Sequence, residues 1–313
     1  MRVFHKLEEV KKIKKPIVTI GTFDGVHLGH QKIIKKIIKE AKKVDGESVL
    51  LTFYPHPRMV LYPKNHGLQL LQTQKEKLNS LKETGIDNVV ILPFSMEFSR
   101  IPAWDFVRDI LVNSIGVHTL VIGYDHQFGK NREGNISYLH DVSNSFNFKV
   151  IEISAEEVND VNISSTKIRN ALFDGNVEIS KNYLGRPFSI SGEVVKGDGI
   201  GSKIGFPTAN ISIKDDTKLI PQKGVYGVLT RQKNKEFYGI MNIGTRPSIQ
   251  TKKTEQRIEV YLFDFNEDIY GEWMEIKLLK RIRNENKFDS LEALKKQIVK
   301  DEITMRNFLG IDY

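Results

Sequence analysis

Near residue 184 the chain changes its hydrophobic rhythm, and that change limits the fold more than any other feature. Before it, short apolar runs at Ile17–Ile20, 48–53, 88–92, 119–122 and 149–153 read as strands. Between them lie stretches of helical spacing. In QKIIKKIIKEAKK, Ile33, Ile34, Ile37, Ile38 and Ala41 fall on one helical face and lysines on the other. Residues 74–84 and 102–114 carry a similar helical pattern. Strands that alternate with helices predict a parallel, doubly wound α/β sheet. After residue 184, short strand-like runs at 188–195, 224–231, 236–243, 257–263 and 273–279 are separated by Gly, Pro and Asn turns. That pattern predicts antiparallel β structure, as a barrel or a sandwich. A closing helix is expected near 290–308, with Asp289 and Ser290 at its cap. Two domains, 1–183 and 184–313, suit a chain of 313 residues.

Composition narrows the functional classes. The net charge is +8, which invites a nucleic-acid reading. Residues 1–43 hold 12 Lys and Arg against 4 Asp and Glu, so the whole excess is local and the remaining 270 residues are balanced. A local excess argues against a polymeric partner. The chain has no cysteine, which removes disulfides, thiolate metal sites and cysteine nucleophiles together. It also points to a reducing, cytoplasmic setting. No apolar run approaches the roughly 18 residues of a membrane helix, so no membrane partner is expected.

Two constellations carry chemistry. In GTFDGVHLGHQKIIKK a strand delivers a glycine-bearing turn straight into a helix start. Free N–H groups and the positive helix end favour anions there. His27 and His30 can add hydrogen bonds to charge on phosphoryl oxygens. Three later segments repeat the theme: TFYPHPR (52–58), VIGYDHQFGKNREG (121–134) and ISSTKIRNAL (163–172). Two of them follow expected strands, where open α/β sheets bind ligands. Read alone, SSTKIR is a good helix cap and Pro55-His56-Pro57 a rigid turn.

Together these segments resemble the H-x-G-H nucleotidyltransferases in their flavin-specific form. The resemblance implies a Rossmann-like domain that transfers an adenylyl group from ATP to FMN. It implies phosphate roles for Gly21, Phe23, Asp24, Gly25, His27, His30, Ser164, Ser165, Thr166 and Arg169. It implies substrate roles for Pro55, His56, Pro57, Asp125 and Phe128. Asp24 also fits the structure of the turn itself. Asn135 stands where the family often has an acid.

The second constellation opens the β region. Gly197, Gly199, Gly201 and Gly205 make a loop able to wrap phosphate, although it matches neither a Walker loop nor a dinucleotide fingerprint. Pro207-Thr208-Ala209-Asn210 follows. Two residues apart on an extended segment, Thr208 and Asn210 face one side, and both offer oxygen ligands suited to Mg²⁺. With KGVYGV (223–228), NIGTRPSI (242–249), IEVYLFDFNEDIYG (258–271) and RNENKFDSLEALKKQI (283–298), the second half resembles riboflavin kinase. That implies an antiparallel barrel with a C-terminal helix, phosphorylating riboflavin from ATP with Mg²⁺. It implies Glu259 as base, with Glu255 as the alternative register. It implies Arg283 and Phe288 as flavin or lid residues. Lys203 stands where the family often has arginine. Small molecules (riboflavin, FMN, FAD and ATP) are then the expected partners, and room remains for a weak homo-oligomer.

Overall fold

The computed structural model describes residues 1–10, 12–63, 67–123, 126–154, 163–233, 235–247 and 254–311. The chain divides into two compact units, Met1–Ser165 and Thr166–Tyr313.

In the first unit, β1 (Arg2–Phe4), β2 (Ile17–Ile20), β3 (Ser48–Tyr54), β4 (Asn88–Pro93), β5 (Thr119–Gly123) and β6 (Lys149–Ile153) form one sheet in the order β1-β4-β3-β2-β5-β6. Every pairing is parallel. A parallel sheet is covered on both faces, which is why its strands are apolar without alternation. Val18, Val49, Leu51, Val90 and Leu120 enter one core, and Ile17, Leu50, Val89 and Val121 enter the other. The helices are α1 (Leu28–Lys43), α2 (Pro57–Leu61), α3 (Gln74–Glu83) and α4 (Ile136–Phe146). Ile34, Ile37 and Ala41 of α1 join the second core, and Leu139 and Val142 of α4 join the first.

Two details depart from the periodicity. The helix expected at 102–114 is a short turn, Ala103–Asp105, running into a π-helical stretch, Phe106–Ile115. There Ser114 Oγ donates to the Asp109 carbonyl, five residues back, at 2.6 Å. Strand β1 was not expected, because three residues are too few to show a period. The chain runs from β2 outward through β3 to β4, then returns to place β5 on the other side of β2. Strand order reverses between β2 and β5. In open α/β sheets that reversal opens a crevice at the strands' carboxyl ends.

The second unit begins in α5 (Ser165–Phe173), continues through α6 (Val177–Leu184) and builds a barrel. Its strands are β7 (Phe188–Val195), β8 (Thr208–Ser212), β9 (Gly224–Gln232), β10 (Lys235–Pro247), β11 (Thr254–Leu262) and β12 (Trp273–Arg283). The order β10-β11-β8-β7-β12-β9 closes on itself, and all neighbours are antiparallel. That decides the barrel over the sandwich. A four-residue turn of helix, α7 (Ile200–Lys203), interrupts the glycine loop. The closing helix is α8 (Leu291–Leu309), capped by Ser290 Oγ accepting from the Ala293 N–H at 3.1 Å. Gly227 lets α8 approach the barrel wall, since a Cβ there would fall on the Met305 sulfur.

Candidate active sites

The turn leaving β2 sits at the crevice and is held tightly. Phe23, Gly25 and Val26 all have positive φ. Phe23 is buried in the core, with its ring 4.6 Å from that of His30. Asp24 is also buried, and its carboxylate accepts from the backbone N–H groups of Leu71 at 3.0 Å and Gln72 at 3.2 Å. Its carbonyl accepts from Ser165 Oγ at 3.0 Å. The turn, the segment before α3 and Ser165, the last residue of the first unit, are thereby fastened together through one residue.

His27 caps α1, its Nδ1 accepting from the His30 N–H at 3.3 Å. The two rings stack with centroids 3.6 Å apart. Burial, and then the charges of His27 and Lys77, hold the His30 pKa well below the usual histidine value. His30 is therefore neutral at pH 7, and its buried Nδ1 has no hydrogen-bond partner among the described residues. Behind the turn lies Lys77 of α3, only 7% exposed. Its Nζ donates to the Thr22 carbonyl and to Thr52 Oγ1, each at 3.3 Å. Burial, partly opposed by Asp24, lowers its pKa to about 8.

The other expected residues of this site take defined places. His56 caps α2, its Nδ1 accepting from the Arg58 N–H at 3.2 Å, with Pro57 as the first helical residue. A small cavity beside it is lined by Asp24, Tyr54, His56 and Lys77. Pro55 follows a cis peptide bond. Phe128 is buried against Phe106, with centroids 5.3 Å apart. Asp125 lies outside the described residues. Asn135 caps α4 by accepting from the Tyr138 N–H at 2.9 Å. Ser164 is exposed, whereas Thr166 and Arg169, exposed and half-buried, lie on α5 in the second unit.

The barrel opens into a cleft of about 480 Å³ lined by Gly199, Gly201, Thr208, Asn210, Glu259, Arg283 and Phe288, among others. Register explains the convergence. Strand β11 pairs with β8 so that Glu259 opposes Asn210 and Tyr261 opposes Thr208. Alternation then sends Thr208, Asn210, Glu259 and Tyr261 to one face. Gly197 lies against the Asn210 carboxamide, so closely that a Cβ would overlap it. Gly199 and Gly205 take positive φ where the loop bends. Arg257, also on this face, donates from Nη1 to Asp198 Oδ2 at 2.7 Å. Arg283 is paired twice with buried Asp301, Nε to Oδ1 at 2.9 Å and Nη2 to Oδ2 at 2.7 Å, with its guanidinium 5.7 Å from the Phe288 ring centre. A second cleft of about 300 Å³ touches Thr208 from the other side, lined by Ser202, Pro207, Phe265 and Asp268.

Residues 9–167 match the FAD synthetase family and residues 184–309 the riboflavin kinase family. A bifunctional riboflavin kinase/FMN adenylyltransferase of Buchnera aphidicola (Schizaphis graminum) is 42% identical, over 98% of this chain and 99% of that protein. The chain belongs to the bifunctional riboflavin kinase/FMN adenylyltransferase family. The Escherichia coli K12 protein of the same name is 37% identical, over 99% of this chain and 98% of that one. A crystal structure described as a macrolide-efflux protein from Streptococcus pneumoniae superposes with a TM-score of 0.86 at 32% identity, covering 98% of each chain. No helix among the described residues is long and apolar enough to cross a membrane.

Within this bifunctional frame, sequence reasoning missed several cleft residues. Lys77 had a legible signal, for it stands four residues before Leu81 on the buried face of α3. Arg257 had one too, being two residues before Glu259 on the same strand. Asn242 opens the NIGTRPSI segment, but only the β10–β11 register places it opposite Glu259.

Proposed function

We propose that residues 184–313, which build the barrel, are the riboflavin kinase and that residues 1–183 are the FMN adenylyltransferase. The observation that carries the kinase half is the register that sets Glu259 beside Asn210 at the foot of the glycine loop. Glu259 takes the proton of the riboflavin 5′-hydroxyl as that oxygen bonds to the γ-phosphorus of ATP. The bond from the γ-phosphorus to the bridging oxygen breaks, and ADP leaves. Gly197, Gly199, Gly201 and Gly205 let the backbone wrap phosphate, Lys203 adds charge, and Pro207 stiffens the entry to β8. Arg283 and Phe288 shape the flavin edge. Thr208 and Asn210 fit a hard cation, since both give uncharged oxygens on one face next to the loop. Thr208 and Asn210 would hold Mg²⁺, which would neutralise charge on the nucleotide phosphates.

Within residues 1–183 an FMN phosphate oxygen attacks the α-phosphorus of ATP, the bond to the α–β bridging oxygen breaks, and pyrophosphate leaves. His27 and His30 donate hydrogen bonds to phosphoryl oxygens, and Gly21, Phe23, Asp24 and Gly25 shape the turn that presents them. Ser164, Ser165, Thr166 and Arg169 hold the triphosphate. Pro55, His56, Pro57, Asp125 and Phe128 form the FMN side. We place the chain in the cytoplasm, with small-molecule partners, no nucleic-acid or membrane partner, and weak self-association at most.

A product time course from riboflavin, ATP and Mg²⁺ tests the assignment. Glu259→Gln should make no FMN yet convert supplied FMN to FAD, and His30→Ala should do the converse. FMN formation near the wild-type rate in the first variant would refute the base. Loss of FMN formation with retained FAD synthesis in the second would refute the division of labour.

A further inference from the structure

We propose that Lys77 is a positioning residue for adenylyl transfer: from beneath the turn after β2 it holds Thr22 in place and supplies the fixed positive charge that draws the phosphates of ATP and FMN onto His27 and His30. The inference rests on the adenylyltransferase reading of residues 1–183. Its ground is the place to which α3 delivers the ammonium. Lys77 is 7% exposed, and its Nζ donates at 3.3 Å to the Thr22 carbonyl, just past β2, and at 3.3 Å to Thr52 Oγ1 on β3. Thr52 Oγ1 donates in turn to the same carbonyl at 3.3 Å. Polar groups from α3, β3 and the turn therefore meet under the first residues of GTFDGVHLGH. A buried ammonium held by neutral oxygens weakens a fold, so stability does not account for a cation there. Functional sites are where such groups concentrate.

The sign of the effect is visible at His30. Burial, then the charge of His27, then that of Lys77 hold the His30 pKa down. A positive potential that disfavours a proton on His30 favours an anion beside it, and it adds to the positive end of α1 at the same place. Charge and hydrogen bonding can also be separated at Lys77. An ammonium has three N–H donors and a neutral amine has two, so deprotonation can leave both hydrogen bonds in place while the charge is lost. Burial, partly opposed by Asp24, puts that loss at about pH 8. The titratable groups around Lys77 are Asp24 from the turn, His27 and His30 from α1, Tyr54 from β3, His56 from the cap of α2 and Glu76 beside it on α3. Carboxyl and imidazole groups ordinarily titrate below about pH 7.5 and phenols near 10, so Lys77 is the group that changes charge between about pH 7.5 and 9.5.

The test is the pH profile of FAD synthesis from supplied FMN, ATP and Mg²⁺ by the full-length enzyme, wild type and Lys77→Met. At pH 7 the variant's kcat/KM is lower by about tenfold to a hundredfold. In the wild type kcat/KM then falls through a single-proton limb centred at about pH 8, where the free enzyme loses the charge. The variant is flat across the same window, so the two proteins come within a few-fold of each other at about pH 9.5. In the wild-type kcat the limb lies at higher pH, because bound phosphate stabilises the ammonium. FMN formation from riboflavin is equal in the two proteins at each pH, and circular dichroism confirms that the variant folds. A variant that loses the same factor at every pH would reduce Lys77 to a structural donor and overturn the proposal. So would a wild-type profile flat across the window, or a variant with wild-type kcat/KM at pH 7. His30→Ala run in parallel separates this failure from failure of the adenylyltransferase reading, because an active His30→Ala enzyme removes that reading itself.

Discussion

Replacing Lys77 by Met should stabilise the first unit at pH 7 and lose that advantage by pH 10.5. The ammonium is 7% exposed, has no ion-pair partner among the described residues, and makes two long hydrogen bonds. Burial pulls its pKa from 10.5 to about 8. At about 1.4 kcal/mol per pH unit, the protonated lysine costs the folded state about 3 kcal/mol. Between pH 8 and 10.5 the unfolded chain holds the proton that the folded chain has released. Wild-type stability therefore rises with pH across this window, and the cost is fully present only below it. The two lost hydrogen bonds offset about 1 kcal/mol. The variant should be about 2 kcal/mol more stable at pH 7 and slightly less stable at pH 10.5. Trp104 and Trp273 lie one in each unit, so urea unfolding read by Trp104 fluorescence in a Trp273→Phe background isolates the first. Other titrating groups cancel in the difference between the two proteins. A difference that stays constant from pH 7 to 10.5 would refute the reasoning.

Gly197→Ala places a methyl group on the Asn210 carboxamide, so FMN formation should fall sharply while FAD synthesis from supplied FMN continues; chromatography of both products checks it. Asp24→Ala orphans the Leu71 and Gln72 amides and should cost the first unit about 2–3 kcal/mol, read by the same Trp104 unfolding, with FAD synthesis lost and FMN formation kept.

The sequence made the parallel sheet legible because both of its faces are buried, leaving unbroken apolar runs such as Val49, Leu50 and Leu51. The segments around His27, Pro55 and Ser165 were legible for a related reason, since each is joined to a strand or a helix whose pattern is strong. Strand β8 was harder. Its five residues begin at a proline-led turn and only one is buried, so alternation had little to act on. The π-helical stretch keeps an apolar face like that of an α-helix, and its wider winding depends on hydrogen bonds rather than on residue types. Asp24 read as part of a phosphate turn, but its partners are backbone amides 47 and 48 residues away, which no local pattern encodes. Arg283 read as a flavin or lid residue. Its pairing with Asp301 depends on where α8 packs, and that is a tertiary fact.

All six strands of the parallel sheet are drawn from the first 153 residues, and all six of the barrel from residue 188 onward. Neither sheet interleaves with the other along the chain. On a ribosome the parallel sheet can pair completely before any barrel strand has been made, so its slow long-range contacts never compete with barrel segments for partners. The barrel's first strand, β7, must instead wait for β12, some 80 residues later, before the ring can close. Errors of synthesis or premature termination in the second half would thus release chains with a finished sheet and an open, unpaired set of barrel strands, the species that chaperones must hold.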